Sequence, residues 1–132
     1  MKGRLLARLA LLLMAILLVA CERLPREAET TLFANFEPDE VPRLISVKQV
    51  EVLPEDEAMG AEEVWCANVA HVCWSCDYAQ FITCSSAWLI RRVGDRWVAH
   101  GVALEEDWDR WEAQGCPIED PVVSMNAPGA ER

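Results

Sequence analysis

The chain has 132 residues, with 12 Lys and Arg against 22 Asp and Glu and a net charge of −10. That length holds one small domain. So acidic a balance excludes nucleic acid as a partner and argues against docking on anionic lipid headgroups, because both would repel it.

The first twenty residues read "MKGRLLARLALLLMAILLVA". Lys2, Arg4 and Arg8 form a basic head, and Leu9 to Ala20 is an unbroken apolar run. The run is shorter than the ~20 residues a membrane-spanning helix needs, and it has the form of a secretory signal peptide. It ends in Leu18-Val19-Ala20-Cys21. This stretch resembles the lipobox of bacterial lipoproteins. The resemblance implies cleavage before Cys21, a thioether-linked diacylglycerol on its sulfur and N-acylation of the new terminus. Each buried methylene of such chains contributes ~0.8 kcal/mol, so two or three chains make a stable anchor where one would be marginal. In the family's best-known sorting rule, aspartate after the cysteine retains the protein at the inner membrane. Glu22 stands there instead, so the resemblance implies a periplasm-facing protein on the outer membrane rather than the inner.

Without residues 1–20 the chain keeps nine basic residues and all 22 acidic ones, a charge of −13. Residues 21–42, "CERLPREAETTLFANFEPDEVP", hold three prolines and six carboxylates. They read as an acidic tether, with a possible short helix over residues 28–36 that would align Leu32, Phe33 and Phe36. The folded domain is expected at residues 43–116. "RLISVKQVEVL" (43–53) alternates and is rich in β-branched residues, so it predicts a first strand. Residues 54–62, with a proline, a glycine and many acids, predict an exposed loop. "EVWCANVAHVCW" (63–74) predicts a second strand, apolar on both faces and therefore central. A turn at "SCDYA" leads to a third strand over residues 80–93. The helical alternative for residues 78–90 is disfavoured by the run Ile82-Thr83-Cys84-Ser85-Ser86. "GD" then turns the chain into a fourth strand over residues 96–104.

At residue 105 the period changes. Leu104, Trp108 and Trp111 fall at helical spacing, acids crowd the first turn, and Gly115 and Pro117 mark the end. The helix is expected to lay both tryptophans on one sheet face. Residues 117–132 read as a flexible tail. The expected fold class is α+β: a small antiparallel meander of about four strands with a packing C-terminal helix, stapled by disulfides. About 74 ordered residues make a core that benefits from such staples.

With Cys21 taken by lipid, five cysteines remain: Cys66, Cys73, Cys76, Cys84 and Cys116. In an oxidising envelope compartment they read first as disulfides, and an odd number leaves one over. Fifteen connectivities are open. A hairpin centred on Ser75 would oppose Cys66 with Cys84 and Cys73 with Cys76, leaving Cys116 spare. The rival arrangement ties Cys116 to Cys66, Cys76 or Cys84. As metal ligands, His71, Cys73 and Cys76 have usable spacing for zinc or Cu(I). However, no second ligand pair occurs elsewhere, and the alternation puts Cys66 and Cys84 on the opposite strand face from His71 and Cys73. Cys73-Trp74-Ser75-Cys76 also has the form of a redox motif, but it lies between strands rather than at a helix N-terminus, and no proline falls between Pro54 and Pro117.

The chain shows no nucleophile elbow, oxyanion-hole signature or phosphate-cradling glycine loop, and these patterns point away from an enzyme and from any cofactor. His71 and His100 read as partly buried strand residues. Six tryptophans read mainly as core, with Trp74 in the turn the one expected at the surface. The sequence thus predicts a membrane-anchored envelope module, structural or binding. Its partners would be the membrane, through lipid, and an envelope protein or glycan, through Trp74. The alternative is a metal- or thiol-handling lipoprotein using His71, Cys73 and Cys76.

Overall fold

The computed structural model describes residues 2–19 and 22–118. Cys21, which carries the lipidation expectation, lies outside the described residues, as does all but the start of the expected tail. Lys2–Val19 form helix α1. Among the described residues no helix is long and apolar enough to cross a membrane.

The rest is one antiparallel sheet of four strands in sequence order: β1 (Arg43–Val50), β2 (Ala61–Ser75), β3 (Gln80–Val93) and β4 (Arg96–Gly101). This is the α+β meander the alternation predicts. The third strand coincides with its predicted bounds, and residues 78–90 are not helical. The fourth stops at Gly101 rather than residue 104. The turn between β3 and β4 has two central residues, and Gly94 takes φ +66° at the first of them. A type II′ hairpin turn requires glycine at that position. The predicted loop after β1 contains a one-turn helix, α3 (Pro54–Ala58).

β2 is covered on both faces, as its two apolar sides require. Val64 and Cys66 face one core with Leu89, Trp111 and Cys116. Trp65, Ala67 and Val69 face another with Ile90, Leu24, Ala28 and Leu32. The second core corrects the domain boundary. Helix α2 (Arg26–Phe33) is no appendage of a tether: Ala28 and Leu32 are fully buried and Leu24 nearly so. Ala28 and Leu32 stand at i and i+4 on one helix face, and Leu24, just before the Pro25 N-cap, is buried in the same core. The fold therefore begins near residue 24, not 43, and has three layers, with α2 on one face of the sheet and α3 and α4 (Glu105–Ala113) on the other.

Helix α4 ends as predicted. Gly115 adopts φ +69°, its amide donates to Glu112 O (3.0 Å), and the Cys116 amide donates to Trp111 O (3.1 Å). These two bonds form a Schellman motif. Its expected two-tryptophan face is only half realised. Trp111 is fully buried, whereas Trp108 is 43% and Leu104 62% exposed. The helix meets the sheet through its last turn, where Trp111 enters the core and Cys116 is bonded to β2. Its first turn meets β4 through Asp107, whose Oδ2 lies 3.4 Å from His100 Nε2. Pro117, expected to begin a loose tail, is instead pinned: its carbonyl accepts from Trp111 Nε1 (3.1 Å) and Asn68 Nδ2 (3.0 Å).

Candidate functional site: a hairpin arm beyond the sheet

The strands are of unequal length, and that inequality makes the candidate site. β1 pairs with β2 only from Val64 to Ala70, and β4 pairs with β3 only from Trp88 to Val93. The β2–β3 ladder continues without them to Ser75↔Gln80. Residues 71–75 and 80–84 thus project as a two-stranded arm, roughly 17 Å long at a strand's ~3.3 Å per residue. Two strands alone are marginally stable in water.

The arm is pinned by a disulfide. Cys73 bonds to Cys84, with Cα atoms 5.9 Å apart. Cys73 opposes Ile82 and Cys84 opposes His71, so the bridge runs diagonally across the ladder. The second disulfide joins Cys66 to Cys116 (Cα–Cα 5.8 Å) and ties the end of α4 to the central strand. These pairings overturn the favoured Cys66–Cys84 and Cys73–Cys76 arrangement and bear out one form of its rival. The cause is register. The hairpin pivots between Asp77 and Tyr78, not on Ser75, so Cys66 opposes Leu89. Among the described residues the free cysteine is Cys76, which is exposed.

At the far end Trp74 opposes Phe81, and their rings meet edge to face at 5.1 Å. Both remain largely in solvent, Trp74 at 55% and Phe81 at 44% exposure, and Tyr78 in the turn is 55% exposed. Such edge-to-face pairing holds the two rings in a fixed relation. The turn spans Cys76 to Ala79, with Ala79 in the left-handed region (φ +49°) and the Tyr78 amide donating to Ser75 Oγ (3.4 Å). Residues 71–84 carry one formal charge, Asp77. The arm tip is therefore aromatic and almost uncharged on a strongly acidic chain.

His71 sits at the arm's base, mostly buried. Phe36, just after α2, lies 5.1 Å from its ring and 5.5 Å from that of Trp88. His71 Nδ1 is 4.0 Å from Glu40 and has no hydrogen-bond partner among the described residues. The expected metal set is not assembled: Cys73 has given its sulfur to Cys84, and its thiolate is not available as a ligand. Among the described residues no three His, Cys, Asp or Glu side chains converge as a metal site. His100 is half exposed on β4, its Nε2 3.4 Å from Asp107 Oδ2.

A second charged centre was not anticipated. Asp56, fully buried on α3, accepts from Arg91 Nε (2.7 Å), from the Leu53 amide (2.9 Å) and from Arg110 of α4. Burial pushes its carboxyl up, but the Arg91 and Leu53 hydrogen bonds and the Arg110 and Arg91 charges outweigh burial and hold it below its ordinary value. A cleft of about 460 Å³ opens beside it, with Glu55, Glu106, Asp107 and Asp109 around Arg110. Arg110 is already paired with Asp56 and Glu55, so this centre fastens α3 and α4 to β3. One signal for it lay in the sequence. Arg91 falls on the same strand face as Leu89 in an otherwise apolar run, an inward position that demands a buried partner.

Comparison of the chain with protein-family models, with characterised proteins and with solved structures gives no match.

Proposed function

We propose that this chain is a lipid-anchored module of the bacterial cell envelope that binds its partner through the hairpin arm. The observation that carries the binding half is the Trp74–Phe81 pair, left in solvent at the end of a projecting, disulfide-pinned ribbon. Rigid aromatic side chains lose little entropy on binding and are the usual anchors of recognition surfaces. The anchoring half is supported by the basic head, the apolar run and Leu18-Val19-Ala20-Cys21. The partner on this reading is an envelope protein or glycan.

Two measurements on the full chain in a producing bacterium test it. Fatty-acid labelling should mark the protein and be lost in Cys21→Ala. A photo-crosslinking residue at Tyr78 should give a discrete adduct, whereas one at Val98, also exposed on β4, should not. An unlabelled protein would overturn the anchor, and equal crosslinking from both positions would overturn the arm as binding element.

A further inference from the structure

The arm tip combines three observations that no single function above uses together. It exposes Trp74, Tyr78 and Phe81, it bears a free exposed thiol at Cys76, and it holds one charge on a chain that carries −13 after residue 20. We infer that the occupant of this tip is a second copy of the chain, met tip to tip across a twofold axis and locked by a disulfide between the two Cys76 sulfurs.

Charge selects this geometry. Two copies approaching by any acidic surface repel each other. At the tips the only like pair brought together is Asp77 with its counterpart. Symmetry suits a turn at the end of a ribbon, since residues at a twofold axis meet their own equivalents and Cys76 lies in that turn. Area explains why the thiol is needed. Three aromatic side chains about half exposed offer roughly 300 Å² per copy, or ~600 Å² in all. A stable interface needs about 1,200 Å² or more. The aromatic contact orients the pair, and the covalent bond makes it permanent. An odd cysteine left over in an exported domain is the expected source of an intermolecular bridge.

The chemistry balances with an envelope disulfide as oxidant. One Cys76 thiolate attacks that disulfide and displaces one of its sulfurs as a thiolate. The second Cys76 thiolate then attacks the mixed disulfide at the first Cys76 sulfur. Two thiols are oxidised to one cystine, the oxidant's disulfide is reduced to a dithiol, and the two protons pass to the released sulfurs.

This inference rests on the proposed arm and on export to an oxidising compartment. The test uses the full chain from envelope-exporting cells, with thiols blocked by N-ethylmaleimide before lysis and no reductant. The expected result is a species of twice the monomer mass, containing a Cys76–Cys76 peptide by mass spectrometry. Dithiothreitol and Cys76→Ser should each abolish it. Asp77→Asn should raise its share, and Trp74→Ala with Phe81→Ala should lower it severalfold. Cys76 recovered as a free thiol, as a glutathione adduct only or bonded to another protein would overturn the inference. Fatty-acid labelling of the same sample reads the anchor separately. A labelled monomer overturns only the dimer, and an unlabelled dimer overturns only the anchor.

Discussion

The body of this protein and its arm are made from the same two strands and differ in everything that covers them. Between Val64 and Ala70, β2 has a strand on either side and a helix on either face, and its side chains are almost all buried. Four residues later the same strand has one neighbour, and Trp74 is mostly in water. Order in the body comes from packing. In the arm, order comes from a covalent bond and a turn. The lesson is that a continuous ladder need not have continuous stability: the body should unfold as a unit, and the arm should open locally below that limit.

Removing the buried carboxylate should break the body most. Asp56→Asn leaves Arg91 and Arg110 facing a neutral group inside the protein, and the loss of one partner from a buried ion pair costs about 3–5 kcal/mol. The measurement is the denaturant midpoint. The same residue predicts a pH effect. Its folded carboxyl sits below the ordinary value, so the unfolded chain binds that proton more tightly. The stabilisation is complete above about pH 4, the unfolded value, and is lost as the pH falls through the lower folded value. In Asp56→Asn that part of the acid slope should vanish. A residue of slope should remain from Asp107. Burial pushes that carboxyl up, but the Leu104 and Ala103 amides and His100 together hold it down.

The two disulfides separate the regions more sharply. The Cys66–Cys116 bridge closes 50 residues and the Cys73–Cys84 bridge closes 11. On the chain-entropy account these loops are worth ~4 and ~2.7 kcal/mol respectively. Replacing Cys66 and Cys116 by alanine should lower the global midpoint by about that larger amount. Replacing Cys73 and Cys84 should speed amide exchange in residues 71–84 well beyond its effect on the body. If arm and body exchange together, the two form one cooperative unit and the arm has no separate stability. The smallest effect belongs to the turn. Ala79 holds a left-handed backbone at φ +49°, where a β-carbon costs ~1 kcal/mol, so Ala79→Gly should slow exchange in the arm and not in the body.

The sequence made the strands legible and hid two of the things that hold them. Alternation and β-branching located all four strands because half-buried strands have a fixed period. Gly115 marked the end of α4 because the closing residue there needs a left-handed backbone. The disulfides were misassigned because pairing depends on the hairpin's pivot, and a shift of about two and a half residues along the turn changes which cysteines face each other. Helix α2 is underestimated because its buried pair, Ala28 and Leu32, is sparse and set among glutamates and threonines. Its worth lies in the sheet face it covers, which no local pattern records. Of the candidate site, Trp74 was anticipated in the turn, but its partner Phe81 and the length of the ribbon that carries them were not. They follow from where β1 and β4 stop.

The burial of Leu24 has a mechanical consequence. Only Glu22 and Arg23 separate Cys21 from a residue held in the core, and three extended residue steps span at most ~11 Å. With lipid on Cys21 the domain would be no fishing float but a fitting, held against the bilayer and free mainly to slide and turn in its plane. Encounters would then be two-dimensional, at an effective concentration set by that thin layer. Whatever the arm meets must lie within its own reach of the same surface.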